Sequence, residues 1–216
     1  MDLTSLTPRE ARIMSHLRER LAAGELPGRA AQRTMAPAVR GGSGDPPENA
    51  RRASVVGLFY PHAGSLRLLY IQRTSPENDR HAGQISFPGG SVDPGDRNAE
   101  HTALRELEEE VGVPQKAVTV LGGLSQLYVP VSNFLVDPFV GWVGERPNFR
   151  PQESEVARVL ELPFSGFLVP GARRSGPRKL VNGMTLPDTP YWAVGAEEIW
   201  GATAMMTAEL VALLDS

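Results

Sequence analysis

The chain has 216 residues, 41% of them hydrophobic and 22% charged, with a net charge of −3 and no cysteine. Those figures fit one soluble globular domain with additions. They exclude disulfides, thiolate catalysis and zinc–thiolate sites, and they offer no overall basic surface for nucleic acid. No apolar run reaches the roughly 18 residues of a membrane span, and the first residues lack the apolar core of a secretory signal, so a cytoplasmic location is expected.

In chain order, Thr7, Pro8 and Glu10 predict a helix start with a capping box. Ile13, Met14, Leu17 and Leu21 form its apolar stripe, Gly24 its stop, and His16 reads as a solvated residue. Residues 25–52, rich in Pro, Gly, Ala and Arg, read as a loop or linker. Its arginines, Arg29, Arg33, Arg40, Arg51 and Arg52, belong to a solvated linker or else meet anionic groups of a ligand. Residues 55–60 and 65–72 read as a hairpin across Pro61-His62-Ala63-Gly64, with His62 exposed. A long loop then runs to Ser86 and carries His81 and Gln84, both candidates for ligand contact.

Residues 89–113, GGSVDPGDRNAEHTALRELEEEVGV, combine a Gly/Pro/Asp loop with a helix starting near Asp96 or Asn98. Leu104, Leu107 and Val111 share a face that should be buried. Glu106, Glu109 and Glu110 crowd another, and each like-charge pair at that spacing costs about 0.2–0.5 kcal/mol in an isolated helix. A hard divalent cation would offset that cost, with Asp93 and Asp96 as further oxygen donors. Gly112 and Pro114 end the helix. Residues 118–121, 124–128, 135–143 and 156–162 read as strands, with a turn-rich loop at 148–155. Residues 164–178 read as irregular, and a second basic stretch, Arg173, Arg174, Arg178 and Lys179, runs through their end. Asn182-Gly183 predicts a hairpin, residues 191–194 a short strand and residues 203–214 a last helix. No internal repeat is visible.

Residues 105–113, RELEEEVGV, match the R-E-U-x-E-E-x-G-U core of the Nudix box, where U is aliphatic, and Gly89-Gly90 supply its upstream glycine. Asp96 fills the acidic position of that box, with one extra residue before Arg105. The chain therefore resembles the Nudix hydrolases. Residues 69–74 (LYIQRT), 83–90 (GQISFPGG) and 199–204 (IWGATA) are similar to segments of the coenzyme A pyrophosphatase branch. Two departures stand out: the segment from Arg73 to Gly83 is one residue long, and the second arginine of the pattern falls on Asp79, beside Arg80.

The resemblance implies an α/β/α Nudix sandwich with a mixed β-sheet. Its core is expected at residues 53–165, between an N-terminal helix and linker (1–52) and a C-terminal hairpin and helix (166–216). It also implies Mg2+ or Mn2+ held by Glu106, Glu109 and Glu110, with Gly89 and Asp96 as further ligands and Arg105 orienting a glutamate. The general base is Glu106, Glu109 or Glu155; residues 151–156, PQESEV, resemble the loop that supplies such a glutamate, with Glu153 as second choice. Arg73, Arg80, Gln84, Phe87, Arg51 and Arg52 are the expected substrate contacts. The implied substrate is a small molecule, coenzyme A or a related nucleotide, cleaved to 3′,5′-ADP and 4′-phosphopantetheine. ADP-ribose, dinucleoside polyphosphates, oxidised nucleotides, and a sensing role without turnover remain as alternatives.

Overall fold

A computed structural model of the chain describes residues 1–37, 45–74, 83–179 and 183–215. Arg40, Asp79, Arg80, His81 and Asn182, named above, lie outside the described residues. Helix α1 (Pro8–Ala23) starts where the Thr7 hydroxyl accepts from the Glu10 amide and stops at Gly24, whose φ of 72° is left-handed. Met14, Leu17 and Leu21 are buried beneath it, and His16 is half-buried rather than solvated. The stretch read as a linker contains a short helix, α2 (Gly28–Arg33). It packs because Gln32 is buried and donates to the Ser125 carbonyl and to Glu209.

Strands β1 (Arg51–His62) and β2 (Ser65–Arg73) form a hairpin on Ala63 and Gly64, with φ of 50° and 76°. Two positive φ values make this the turn whose twist suits paired strands. Two short strands follow, β3 (Ile85–Ser86) and β4 (Gly89–Ser91), then helix α3 (Ala99–Val111), capped by the Asn98 side chain on the His101 amide. After α3 come β5 (Thr119–Gly123), β6 (Leu127–Val129), β7 (Phe134–Trp142) and β8 (Val156–Pro163).

These eight strands form one mixed sheet. Its path is β3-β2-β1-β7-β5, with β1 and β7 parallel and the other pairs antiparallel. β1 pairs with β2 over its second half and with β4 over its first, at Ala53–Val55. The sheet splays at that exchange of partners, and α3 crosses it there. On the α3 face, Val56, Leu58, Tyr60, Leu69 and Ile71 pack on Ala103, Leu107 and Val111. Leu104 is only half-buried; Ala103, four residues before Leu107, takes the buried position.

The opposite face, with Phe59, Leu68 and Tyr70, is covered by α1 and by the C-terminal elements. Those are β9 (Arg173–Lys179), β10 (Thr185–Val194), β11 (Glu197–Trp200) and helix α4 (Gly201–Ala212). Strands β11-β10-β9 make a second, three-stranded sheet where a mostly irregular segment was expected, and Lys179 pairs with Thr185. The architecture is an α/β/α sandwich around a mixed sheet. Among the described residues no helix is long and apolar enough to cross a membrane.

Candidate active site

The site forms where β4 and α3 meet. Val56 N–H donates to the Pro88 carbonyl and Val92 N–H to that of Arg52, which holds Gly89–Ser91 against β1. The Gly89 N–H turns to Glu110 Oε2 at 2.8 Å. Gly89 has a φ of 150°, and a Cβ there would lie 2.3 Å from the Ser54 carbonyl oxygen. At Gly90 a Cβ would lie 2.4 Å from Glu106 Oε1. Gly90 therefore lets the Glu106 carboxylate approach the strand backbone, and Gly89 lets β4 close on β1.

Glu106 and Glu110, four residues apart, face this strand together. The Glu110 side chain is 1% exposed and its pKa is pushed up to about 8. Burial is the main cause; the Gly89 N–H and Arg73 oppose it, while the charges of Glu106 and Glu155 add to it. Glu106 is also shifted upward, first by burial, with Arg105 opposing and Glu109 and Glu155 adding. Burying two like-charged groups is costly unless a cation joins them. Glu155, exposed on the loop before β8, is near enough for its charge to act on both glutamates.

Arg105 organises the acids around it. Its Nε and Nη2 donate to the two Asp96 oxygens at 3.0 Å each, and Nη1 lies 2.8 Å from Glu109 and 3.0 Å from Glu106. Asp96 also accepts from the Thr102 hydroxyl and the Asp93 amide, and its Arg105 pair holds its carboxyl well below the usual range. Its side chain is 1% exposed. Asp96 therefore differs from the expected ligand: both oxygens are already engaged in holding Arg105. Glu109 is 58% exposed and turned to Arg105.

Among the expected substrate contacts, Arg73 sits 3.7 Å from Glu110 with a third of its side chain exposed. Gln84 is half-buried, and its carbonyl accepts from the Arg73 amide. Phe87, between β3 and β4, is turned away from the site: it is 2% exposed and its ring stacks on Tyr70 in the core at 4.9 Å. Arg51 donates to the Ser132 carbonyl and lies over the Phe134 ring, while Arg52 pairs with Asp137 at 2.7 Å. Both are engaged by β7 and the turn before it. Thr74, the last residue of the 69–74 segment, ties the end of β2 to Glu155 and Ser154.

The donor set suits a hard divalent ion: carboxylate oxygens and backbone carbonyls, with Glu110 buried and Glu106 half-buried beside it. Among the described residues no three acidic or histidine side chains already converge on one point, consistent with Glu109 being held by Arg105.

The NUDIX domain profile matches residues 49–175. The chain belongs to the Nudix family. Its similar relatives include an uncharacterised Nudix hydrolase NudL of Pectobacterium atrosepticum, 42% identical over 119 residues, covering 55% of this chain and 60% of that one. The human mitochondrial coenzyme A diphosphatase NUDT8 is 36% identical over 150 residues, covering 68% of this chain and 62% of that one. The matches thus span about 60% of those relatives' length. A crystal structure of a MutT/nudix family protein from Enterococcus faecalis shares the fold, with a TM-score of 0.53 and 17% identity over 81% of this chain and 66% of its own. In this Nudix chain residues 89–113 run through β4 and α3, beside β1.

Proposed function

We propose that this protein is a divalent-metal-dependent pyrophosphohydrolase acting on coenzyme A and its derivatives. The observation that carries the reading is the pair of buried Glu110 and half-buried Glu106, set against Gly89 and Gly90 with the charge of Glu155 acting on both. The coenzyme A assignment is supported by the FPGG and IWGATA segments and by the likeness to a named coenzyme A diphosphatase.

Glu106, Glu110 and the Gly89 carbonyl would hold Mg2+ or Mn2+, joined by Glu109 once its carboxylate leaves Arg105. When bound, the ion neutralises diphosphate charge and acidifies water. Arg105, anchored on Asp96, keeps Glu106 in place and holds Glu109 beside it until that carboxylate turns to the ion, the supporting role outer groups have around metals. Arg73 puts a positive charge beside Glu110, where a diphosphate would lie; Gln84 and Arg80 complete the proposed substrate contacts. Glu155, exposed and with its charge acting on both glutamates, accepts a proton from the attacking water. Attack at one phosphorus breaks one P–O bond of the anhydride, and each half leaves with a phosphate.

The test is incubation with Mg2+ and, separately, coenzyme A, ADP-ribose, diadenosine polyphosphates and oxidised nucleotides, with products identified by mass. The proposal expects 3′,5′-ADP and 4′-phosphopantetheine from coenzyme A, faster than any other cleavage. Preferred cleavage of another compound would move the substrate but keep the reaction. Binding without turnover of any would make this a sensing module.

A further inference from the structure

We propose that Arg158 of β8, held by Glu197 of β11, is a positioning residue that fixes Arg73 and Glu155 at the carboxylate site. The proposal rests on the reading of those two residues given above. β2 and β8 pair regularly from Arg67–Pro163 to Gln72–Arg158, and then the register shifts so that Arg73 faces Val156. Ala157 is thus the extra residue of a β-bulge, a device that bends one strand and re-aims its side chains. The two residues it re-aims are functional ones. Arg73 lies against Glu110, and Glu155 precedes Val156 directly.

Arg158 closes the bulge. Its Nε donates to Gln72 Oε1 at 2.7 Å, and its Nη1 and Nη2 donate to the two Glu197 oxygens at 3.2 and 3.0 Å. Gln72 uses its other end as well, donating from Nε2 to the Gly83 carbonyl at 3.1 Å. One guanidinium therefore spans β2, β8 and β11, and through Gln72 it reaches the far side of the loop neck. Past the bulge, Thr74 N–H donates to the Glu155 carbonyl at 2.9 Å, its hydroxyl to that of Ser154, and Gly83 N–H to that of Thr74. The neck and the Glu155 loop are thus joined to one framework whose outer anchor is the C-terminal sheet.

The chemistry decides what this framework does. Arg158 is 52% exposed, and an exposed ion pair adds little to stability. A planar fork bonded at three nitrogens fixes direction, and lysine cannot reproduce it. The effect should therefore fall on turnover and on local order more than on folding.

The experiment compares wild type with Arg158→Ala, Arg158→Lys, Glu197→Gln and the double variant R158A/E197Q in the full chain. It measures kcat, KM and Tm with Mg2+ on the pyrophosphate that wild type cleaves best, and amide exchange without substrate. Arg158→Ala should lower kcat roughly tenfold or more, the scale on which small misplacements act, with KM and Tm little changed. Lysine should not rescue it, and the double variant should be no slower than Arg158→Ala. The amides of Thr74 and Gly83 should lose protection while those of α3 keep theirs. Unchanged exchange at Thr74 and Gly83, or unchanged kcat, would overturn the proposal. A parallel loss of Tm and of protection across the whole sheet would overturn it too, leaving Arg158 a structural residue. If wild type cleaves nothing, the functional reading fails on its own account, and the exchange data then decide the clamp.

Discussion

The Glu106 carboxylate lies so close to the Gly90 Cα that a single added methyl would stand 2.4 Å from its Oε1. The obstructed atom is the end of a side chain, so it can swing aside. Gly90→Ala should fold with a Tm near wild type yet lose most of its turnover, measured as kcat with Mg2+. Gly89→Ala should behave differently, because its Cβ would meet the Ser54 backbone at 2.3 Å at a φ of 150°. The cost there is to the fold, about 1–3 kcal/mol or more for a strained backbone, read by urea unfolding.

Removing charge from the pair should separate chemistry from folding. Glu110→Gln keeps the shape and the bond from Gly89 N–H, so the fold should survive while kcat falls by orders of magnitude. Glu155→Gln should lower kcat with KM little changed, as expected for a group that acts in the transition state. Wild-type turnover in both would dismiss the assigned roles.

Stability should depend on pH through Glu110. Its folded pKa, about 8, lies above the ordinary 4.5. A raised carboxyl contributes stability that is full below the lower value and lost as pH climbs through the upper one. The Tm of the metal-free protein, relative to that of Glu110→Gln, should therefore fall between pH 4.5 and about 8. Mg2+ should restore most of it at the upper end, where the carboxylate is free to bind. Asp96 acts with the opposite sign: its lowered pKa gives stability present at neutral pH and lost in acid.

Asp96→Asn would leave Arg105 with Glu106 and Glu109 but without its two-point anchor. The loss should be about 3 kcal/mol, the lower end for breaking a buried pair, because those partners remain. Turnover should fall further than stability alone explains, since Arg105 then no longer directs both glutamates. Chemical denaturation and kcat on the same preparation check this.

Much of this was legible in the chain. Asn98, the period of Leu107 and Val111, and Gly112 specified α3, because caps and helical spacing act locally. The box glutamates were legible by spacing, but not that Glu110 would be buried and Glu109 exposed; that depends on β4, which two glycines and a serine do not announce. Asp96 was indistinguishable from a ligand until its partners Thr102 and Arg105 were in place. Phe87 sits in a motif beside the site, yet its ring points to Tyr70 on the other face. β9, Arg-Arg-Ser-Gly-Pro-Arg-Lys, has little intrinsic strand tendency; pairing with β10 at a sheet edge, where Pro177 is tolerated, makes it a strand. Arg158 and Glu197 carry no motif, and only the pairing of β2 with β8 and the approach of β11 bring them together with Gln72.

The most direct measurement is Mn2+ binding followed by electron paramagnetic resonance in wild type, Glu106→Gln, Glu110→Gln and, as a control, the exposed Glu108→Gln. Wild type and Glu108→Gln should bind the ion alike, and the other two should bind it far more weakly. Equal binding in all four would contradict the claim that Glu106 and Glu110 hold the metal.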